Sequence, residues 1–245
     1  MGIPRNKFYI SANDLTSCPS GVYYKKKKAP LPLVHPRIAE IWQLFGRLQE
    51  KGQKIQKMVL EEWQKDGSLV SPERFIPWND FGITGKYDAI VRINGEFILY
   101  EIKGAGKQIF DNELDKPEPF DEHRLQVIVY HYFLKKNFPH LKAKILYVER
   151  SGNRRLEIPI EYEDKEFLKN LEKVKSFQDA LEKDIPPQPK SNIAWNKFQN
   201  RYDISMAAIT CKYHALCLGD DKWYEKTVIE VNKKNSLAQR RPKTQ

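Results

Sequence analysis

The chain has 245 residues, of which 40% are hydrophobic and 12% aromatic, with three cysteines and a formal charge of +10. That length can bury a real core; the odd and sparse cysteines argue against a disulfide framework and for a reducing compartment; and the lack of a membrane-length apolar run or a secretory opening makes a cytoplasmic protein the expectation, with no membrane partner. The charge sits at the ends, +5 within residues 1–30 and +5 within residues 231–245, with the 200 between neutral in sum, a distribution suited to a polyanion such as DNA.

In chain order, Ser11-x-x-Asp14 is a capping-box-like helix start, with Cys18 at the helix's end before Pro19. Lys25, Lys26, Lys27 and Lys28 follow Tyr23 and Tyr24; lysines beside aromatics suit contact with a single strand. Ile38, Ile41, Trp42, Phe45, Leu48, Ile55, Met58, Val59 and Trp63 recur at helical spacing over residues 36–65. Gly46 and Gly52 are expected to break that helix, and Trp42 and Trp63 to enter the core. Strands are expected at 73–78, 82–93 and 96–103, then a charged loop over 104–120. A helix at 121–136 precedes strands at 143–149 and 155–162. An amphipathic helix spans 164–184, and the prolines after Ile185 end it. Residues 190–232 carry no regular pattern.

The chemistry gathers in the middle. Gly85-Lys86-Tyr87-Asp88-Ala89-Ile90-Val91 and Phe97-Ile98-Leu99-Tyr100-Glu101-Ile102-Lys103-Gly104 are apolar runs broken by charge. Asn94-Gly95 between them is a hairpin turn signal, which sets Asp88 near Glu101 and Lys103. Carboxylates in apolar strands are costly without a partner, and a divalent cation is one. Glu101 and Lys103 are two apart, so on a strand they share a face. Gln126 and Tyr130 are four apart and share a helix face. The bland alternative, a buried salt bridge in a hairpin, explains each piece but not the ordered set.

Asp, a spacer of about a dozen residues and Glu-x-Lys resemble the core of the PD-(D/E)XK nuclease superfamily, and Gln126-x-x-x-Tyr130 resembles the Gln-x-x-x-Tyr motif of its RecB-like branch. The likeness is nearest to the CRISPR-associated exonuclease four family and covers roughly residues 9–217. It implies an α/β fold with a restriction-endonuclease-like core, a central mixed β-sheet flanked by helices. Residues 36–184 would form the nuclease core. Residues 1–35 and 185–232 would form a cysteine-containing subdomain, a metal site joining the N- and C-terminal segments, and 233–245 would be a basic tail. In the resemblance, Asp88 and Glu101 hold Mg2+ or Mn2+ with the Ile102 carbonyl. Lys103 positions water or stabilises charge, Gln126 orients that lysine or water, and Tyr130 approaches DNA, as His123 would on the same helix.

The sequence departs from that pattern twice. Where the branch has a helical histidine, this chain has Gln56, a poorer metal ligand. The family holds an iron–sulfur cluster with one early and three late cysteines. Cys18, Cys211 and Cys217 match, but Ala208 stands where another would fall. His214 is a candidate substitute, leaving an unusual iron–sulfur cluster, a zinc site or a decayed site open. The expected function is a metal-dependent nuclease on single-stranded DNA ends, the 5′ end preferred, with protein partners in a DNA-processing complex allowed. The alternatives are a structure-specific endonuclease and a catalytically weak DNA-binding subunit.

Overall fold

A computed structural model describes residues 8–77, 79–107, 110, 118–151, 154–189, 191–196, 201–220 and 222–239. The chain divides into two compact units, one of residues 1–16 and 45–178, the other of residues 17–44 and 179–245.

The first unit opens with β1 (Ile10–Ser11) and a 3-10 helix (Ala12–Thr16). The Ser11 hydroxyl accepts the Asp14 N–H at 3.1 Å, and the Asp14 carboxylate accepts the Ser11 N–H at 3.3 Å. This reciprocal cap is the one the Ser-x-x-Asp spacing announces. Helix α2 (Pro36–Lys65) runs through both expected break points, Gly46 and Gly52, without interruption. Helical spacing of apolar residues on either side outweighs the roughly 1 kcal/mol that each glycine costs, and a Cβ at either Gly46 or Gly52 would meet nothing within 4 Å.

A five-stranded mixed sheet follows, in the order β2 (Leu69–Phe75), β4 (Lys86–Ile93), β5 (Glu96–Ala105), β6 (Lys142–Glu149), β7 (Arg155–Pro159). Only β5 and β6 are parallel, and helix α3 (Asp121–Leu134) lies between them in sequence as the crossover that a parallel pair requires. A short β3 (Ile83–Thr84) pairs with β1. The strand expected at 73–78 sits earlier, because β2 is an edge strand whose extent is set by pairing with β4 and by a register shift between Leu69 and Ser71. Local apolar pattern does not specify either. The β4–β5 hairpin closes at Asn94-Gly95, both at positive φ (51° and 85°), as a two-residue hairpin turn demands. Much of the expected loop over 104–120 lies outside the described residues.

One face of the sheet carries Ala89, Val91, Ile98, Tyr100, Ile102, Leu146 and Val148, packed against Val59, Ile55, Leu60 and Trp63 of α2. Helix α3 packs against β4, β5 and β6. Strand alternation puts Glu101 and Lys103 on the face opposite Tyr100 and Ile102. Helix α4 (Asp164–Glu182) turns Phe167, Leu171, Val174, Phe177 and Leu181 of the expected apolar stripe inward, whereas Leu168, expected on the same side, is exposed.

The second unit contains α1 (Pro19–Lys26) and, among the described residues, a hairpin of β8 (Ile193–Asn196) and β9 (Arg201–Ile204) with helices α5 (Met206–Thr210), α6 (His214–Leu218) and α7 (Trp223–Gln239). Residues 190–232 are therefore mostly regular, not irregular, and helix α7 extends into the basic C-terminal stretch. Elements of four or five residues are too short to show periodicity. Ile38, Ala208, Ala215 and Trp223 form a common core, with Trp42 packed against it, and its indole N–H donates to the Ile209 carbonyl at 2.7 Å. Among the described residues no helix is long and apolar enough to cross a membrane.

Candidate active site

The β4–β5 ladder runs from the turn to Ala89–Tyr100. One step beyond, Asp88 occupies the position where pairing ceases, and its Oδ2 accepts the Ile102 N–H at 2.7 Å. The carboxylate thus replaces a ladder carbonyl. Its other oxygen, Oδ1, accepts from Gln56 Nε2 at 2.8 Å. On β5, the Lys103 ammonium lies 2.6 Å from Glu101 Oε1 and donates to Gln126 Oε1 of α3 at 3.0 Å. The second Glu101 oxygen, Oε2, is buried with no hydrogen-bond partner among the described residues.

Both acids are buried, and burial comes first among the causes that raise their pKa values. For Asp88, which is lifted well above the ordinary value, the charge of Glu101 adds to it, while Lys103 opposes the rise in both. At Lys103 burial acts downward, but Glu101 and Asp88 together outweigh it and hold the pKa above the ordinary lysine value. Lys103 is therefore an ammonium at neutral pH. Tyr130, buried and near both acids, is raised as well, so its phenol stays protonated. The Tyr130 ring is seated against Gly85, where a Cβ would come within 2.6 Å of Cε1.

These groups line one cleft of about 710 Å³ with Asn13, Gln53, Gln56, Glu73, Lys86, Gly104 and Arg150. An unsatisfied buried carboxylate oxygen beside a second carboxylate is a donor set that a hard divalent cation would relieve. Asp88 and Glu101 would hold such an ion. Among the described residues no group of three or more His, Cys, Asp or Glu side chains is disposed around a single ion, so water and substrate would complete the shell, as Mg2+ usually requires.

Of the residues singled out from sequence, Asp88, Glu101, Ile102, Lys103, Gln56 and Tyr130 share this cleft, and Gln126 reaches it through Lys103. His123 stands beside Tyr147, its Nδ1 2.9 Å from the phenol oxygen. Burial, helped by the Lys103 charge, lowers its pKa to about 3, so it brings no positive charge. Glu73, Lys86, Asn13, Gln53 and Arg150 were not foreseen. Glu73 pairs with Lys86 at 2.5 Å and accepts from Gln56 at 3.3 Å. Lys86 was within reach of sequence reasoning, since it stands two before Asp88 in the same strand. Glu73 and Arg150 become visible only once strand pairing is known.

The cysteines and the Lys25–Lys28 run belong to the second unit. Cys211 makes side-chain contacts with both Cys18 and Cys217. The Cys18 contact lowers its pKa, but the Cys217 contact and burial prevail and bring it to about 11. Gly21 leaves room for this cluster, because a Cβ there would lie 2.5 Å from Cys211 Sγ. His214 is held elsewhere: its Nε2 is 2.7 Å from Asn192 Oδ1 and its ring meets Trp223 edge-on. Three thiols meet, and His214 Nδ1 is buried with no hydrogen-bond partner among the described residues; no group of three or more His, Cys, Asp or Glu side chains among those residues is disposed around a single ion. Lys27 pairs with Asp184 at 2.6 Å and lies over the Tyr23 ring.

A five-stranded mixed sheet that presents two acids and a lysine at one end of a hairpin defines a nuclease-type α/β core. The sequence matches the family model of the PD-(D/E)XK nuclease superfamily over residues 27–218, and the chain belongs to that superfamily. It is thus a nuclease with a restriction-endonuclease-like fold. No curated protein matches it. Among solved structures it is similar to SSO0001 (TM-score 0.51, 20% identity, covering 90% of this chain and 89% of that one). Another similar structure is LHK-Exo, an alkaline exonuclease from Laribacter hongkongensis (TM-score 0.48, 14% identity, 72% of this chain and 89% of that one). A second LHK-Exo structure, in complex with dAMP, has a TM-score of 0.48 at 16% identity, over 73% of this chain and 89% of that one.

Proposed function

We propose that the chain is a metal-dependent deoxyribonuclease that hydrolyses phosphodiester bonds at single-stranded DNA ends, with 5′ ends preferred. The observation that carries this reading is the meeting of Asp88, Glu101 and Lys103 at one cleft wall, with Glu101 Oε2 left unsatisfied. Mg2+ or Mn2+ would be held by Asp88 and Glu101, with the Ile102 carbonyl. Such an ion, when bound, makes its water more acidic and neutralises phosphate charge. Lys103, positive and pinned by Glu101 and Gln126, meets the charge that develops on the phosphate. Gln56 orients the Asp88 carboxylate, and Tyr130 supplies a protonated phenol as donor. Lys25, Lys26 and Lys28 with Tyr24 form a cationic, aromatic stretch suited to the strand, while Tyr23 is buried and donates to Asp184. The preference for single strands and 5′ ends comes from the motif likeness.

One observation favours a second reading, a DNA-binding subunit with a weakened ion site. The Gln56 amide donates to Asp88 where the RecB-like branch would offer an imidazole to the ion. Separately 5′- and 3′-labelled single strands, incubated with Mg2+ or Mn2+ and with chelator, test both readings. We expect chelator-sensitive shortening from the 5′ end, and circular single strands left intact. Asp88→Ala and Lys103→Ala should lose at least about 100-fold in rate while keeping DNA affinity. Comparable turnover by the Asp88→Ala protein would overturn the site assignment, and binding without cleavage would favour the second reading.

A further inference from the structure

The cleft contains three cations, and two of them are neutralised. Lys103 pairs with Glu101 and Lys86 with Glu73. The third, Arg150, is in no ion pair among the described residues, and the cause acting on its pKa is burial, which lowers it with no carboxylate pulling the other way. An exposed guanidinium on the cleft wall, with no carboxylate paired to it among the described residues, is open to a phosphate.

Its placement is built. Arg150 follows β6 directly, and its backbone N–H donates to the Ala105 carbonyl at 2.9 Å, which ties it to the end of β5. The guanidinium reaches back over Gly104: a Cβ on that residue would lie 3.5 Å from Arg150 Nε and 3.3 Å from the Gly52 Cα. Arg150 Nε thus lies in ordinary contact range of the residue next to Lys103. The same cleft is also lined by the neutral, hydrogen-bonding Asn13, Gln49 and Gln53.

We infer that Arg150 anchors a backbone phosphate of the bound DNA strand, adjacent to the phosphate that faces Asp88, Glu101 and Lys103. This rests on the nuclease reading and extends it by assigning the cleft a second phosphate subsite. The guanidinium offers a planar fork that matches two non-bridging oxygens, which an ammonium does not.

Binding of a fluorescein-labelled single-stranded oligonucleotide, followed by anisotropy in chelator, isolates the contact from catalysis. Arg150→Ala and Arg150→Gln should weaken binding about tenfold, and each should reduce the slope of log Kd against log salt by about 0.7, one phosphate contact on a single strand. Arg150→Lys should keep the slope and lose about threefold. One neutral methylphosphonate, moved along the oligonucleotide, should weaken the wild-type complex at one position where it costs the Arg150→Ala protein nothing. Unchanged affinity and slope in both Arg150→Ala and Arg150→Gln, with melting temperatures like the wild type, would overturn the proposal. The two readings fail separately: Arg150-dependent binding without cleavage in Mg2+ or Mn2+ retains the subsite and removes the nuclease, whereas normal cleavage with Arg150-independent binding does the reverse.

Discussion

Asp88 and Glu101 are held in a conflict that the proposed cation would relieve. Two carboxylates are buried within reach of one ammonium, and one of their oxygens has no partner among the described residues. Because both pKa values are raised, the metal-free native state holds more protons than the unfolded chain as pH climbs out of the ordinary carboxylate range. Its stability must therefore fall as pH rises through that window. Lys103, raised in the opposite sense of charge, contributes stability that is lost only above the lysine range and does not enter. A bound dication favours the ionised acids and releases protons on binding. The rise in melting temperature on adding Mn2+ should therefore be larger at about pH 7.5 than at about pH 5.5, and Glu101→Gln should abolish most of it. Scanning calorimetry at the two pH values checks this; equal shifts at both, retained in Glu101→Gln, would contradict the assignment of the acids as ligands.

At the scale of elements, the site depends on close approaches that only glycine permits. The closest of these is at Gly85, at the junction of β3 and β4, which carries the Tyr130 ring of α3. A methyl group there would stand 2.6 Å from Tyr130 Cε1 and 3.3 Å from the Ala12 Cβ, so α3 or the ring must move. Gly85→Ala should cost about 1–3 kcal/mol, or roughly 2–4 °C in melting temperature per kcal/mol for a chain of this size. In a Tyr130→Ala background most of that cost should vanish, since the clash is with the ring. A penalty that persists undiminished would place the strain elsewhere than at this helix–strand contact. Gly104 makes a looser approach between β5 and α2, where a Cβ would lie 3.3 Å from both the Gly52 Cα and Ile55 Cδ1.

Over the whole molecule, the formal charge of +10 makes association with DNA a matter of counterion release. Four phosphate contacts on a single strand would give a salt slope near −2.8, or about 50-fold weaker binding between 50 and 200 mM salt. Anisotropy titrations across that range measure the slope. A flat dependence would mean that the cationic residues do not touch the strand.

The order Asp88, Asn94-Gly95, Glu101-x-Lys103, Gln126-x-x-x-Tyr130 could be read directly from the chain, because a hairpin turn, strand alternation and helical spacing are local properties that nearest neighbours determine. The same locality made α2, α3 and α4 visible, and it misjudged the glycines of α2, the edge strand β2 and the short elements after residue 190, where packing against distant residues decides. Tertiary structure alone brought Gln56 to Asp88, Gln126 to Lys103, Glu73 to Gln56 and Arg150 over Gly104. Those contacts join residues 17 to 46 positions apart, and the register of a five-stranded sheet, not any spacing in the sequence, selects which of them meet.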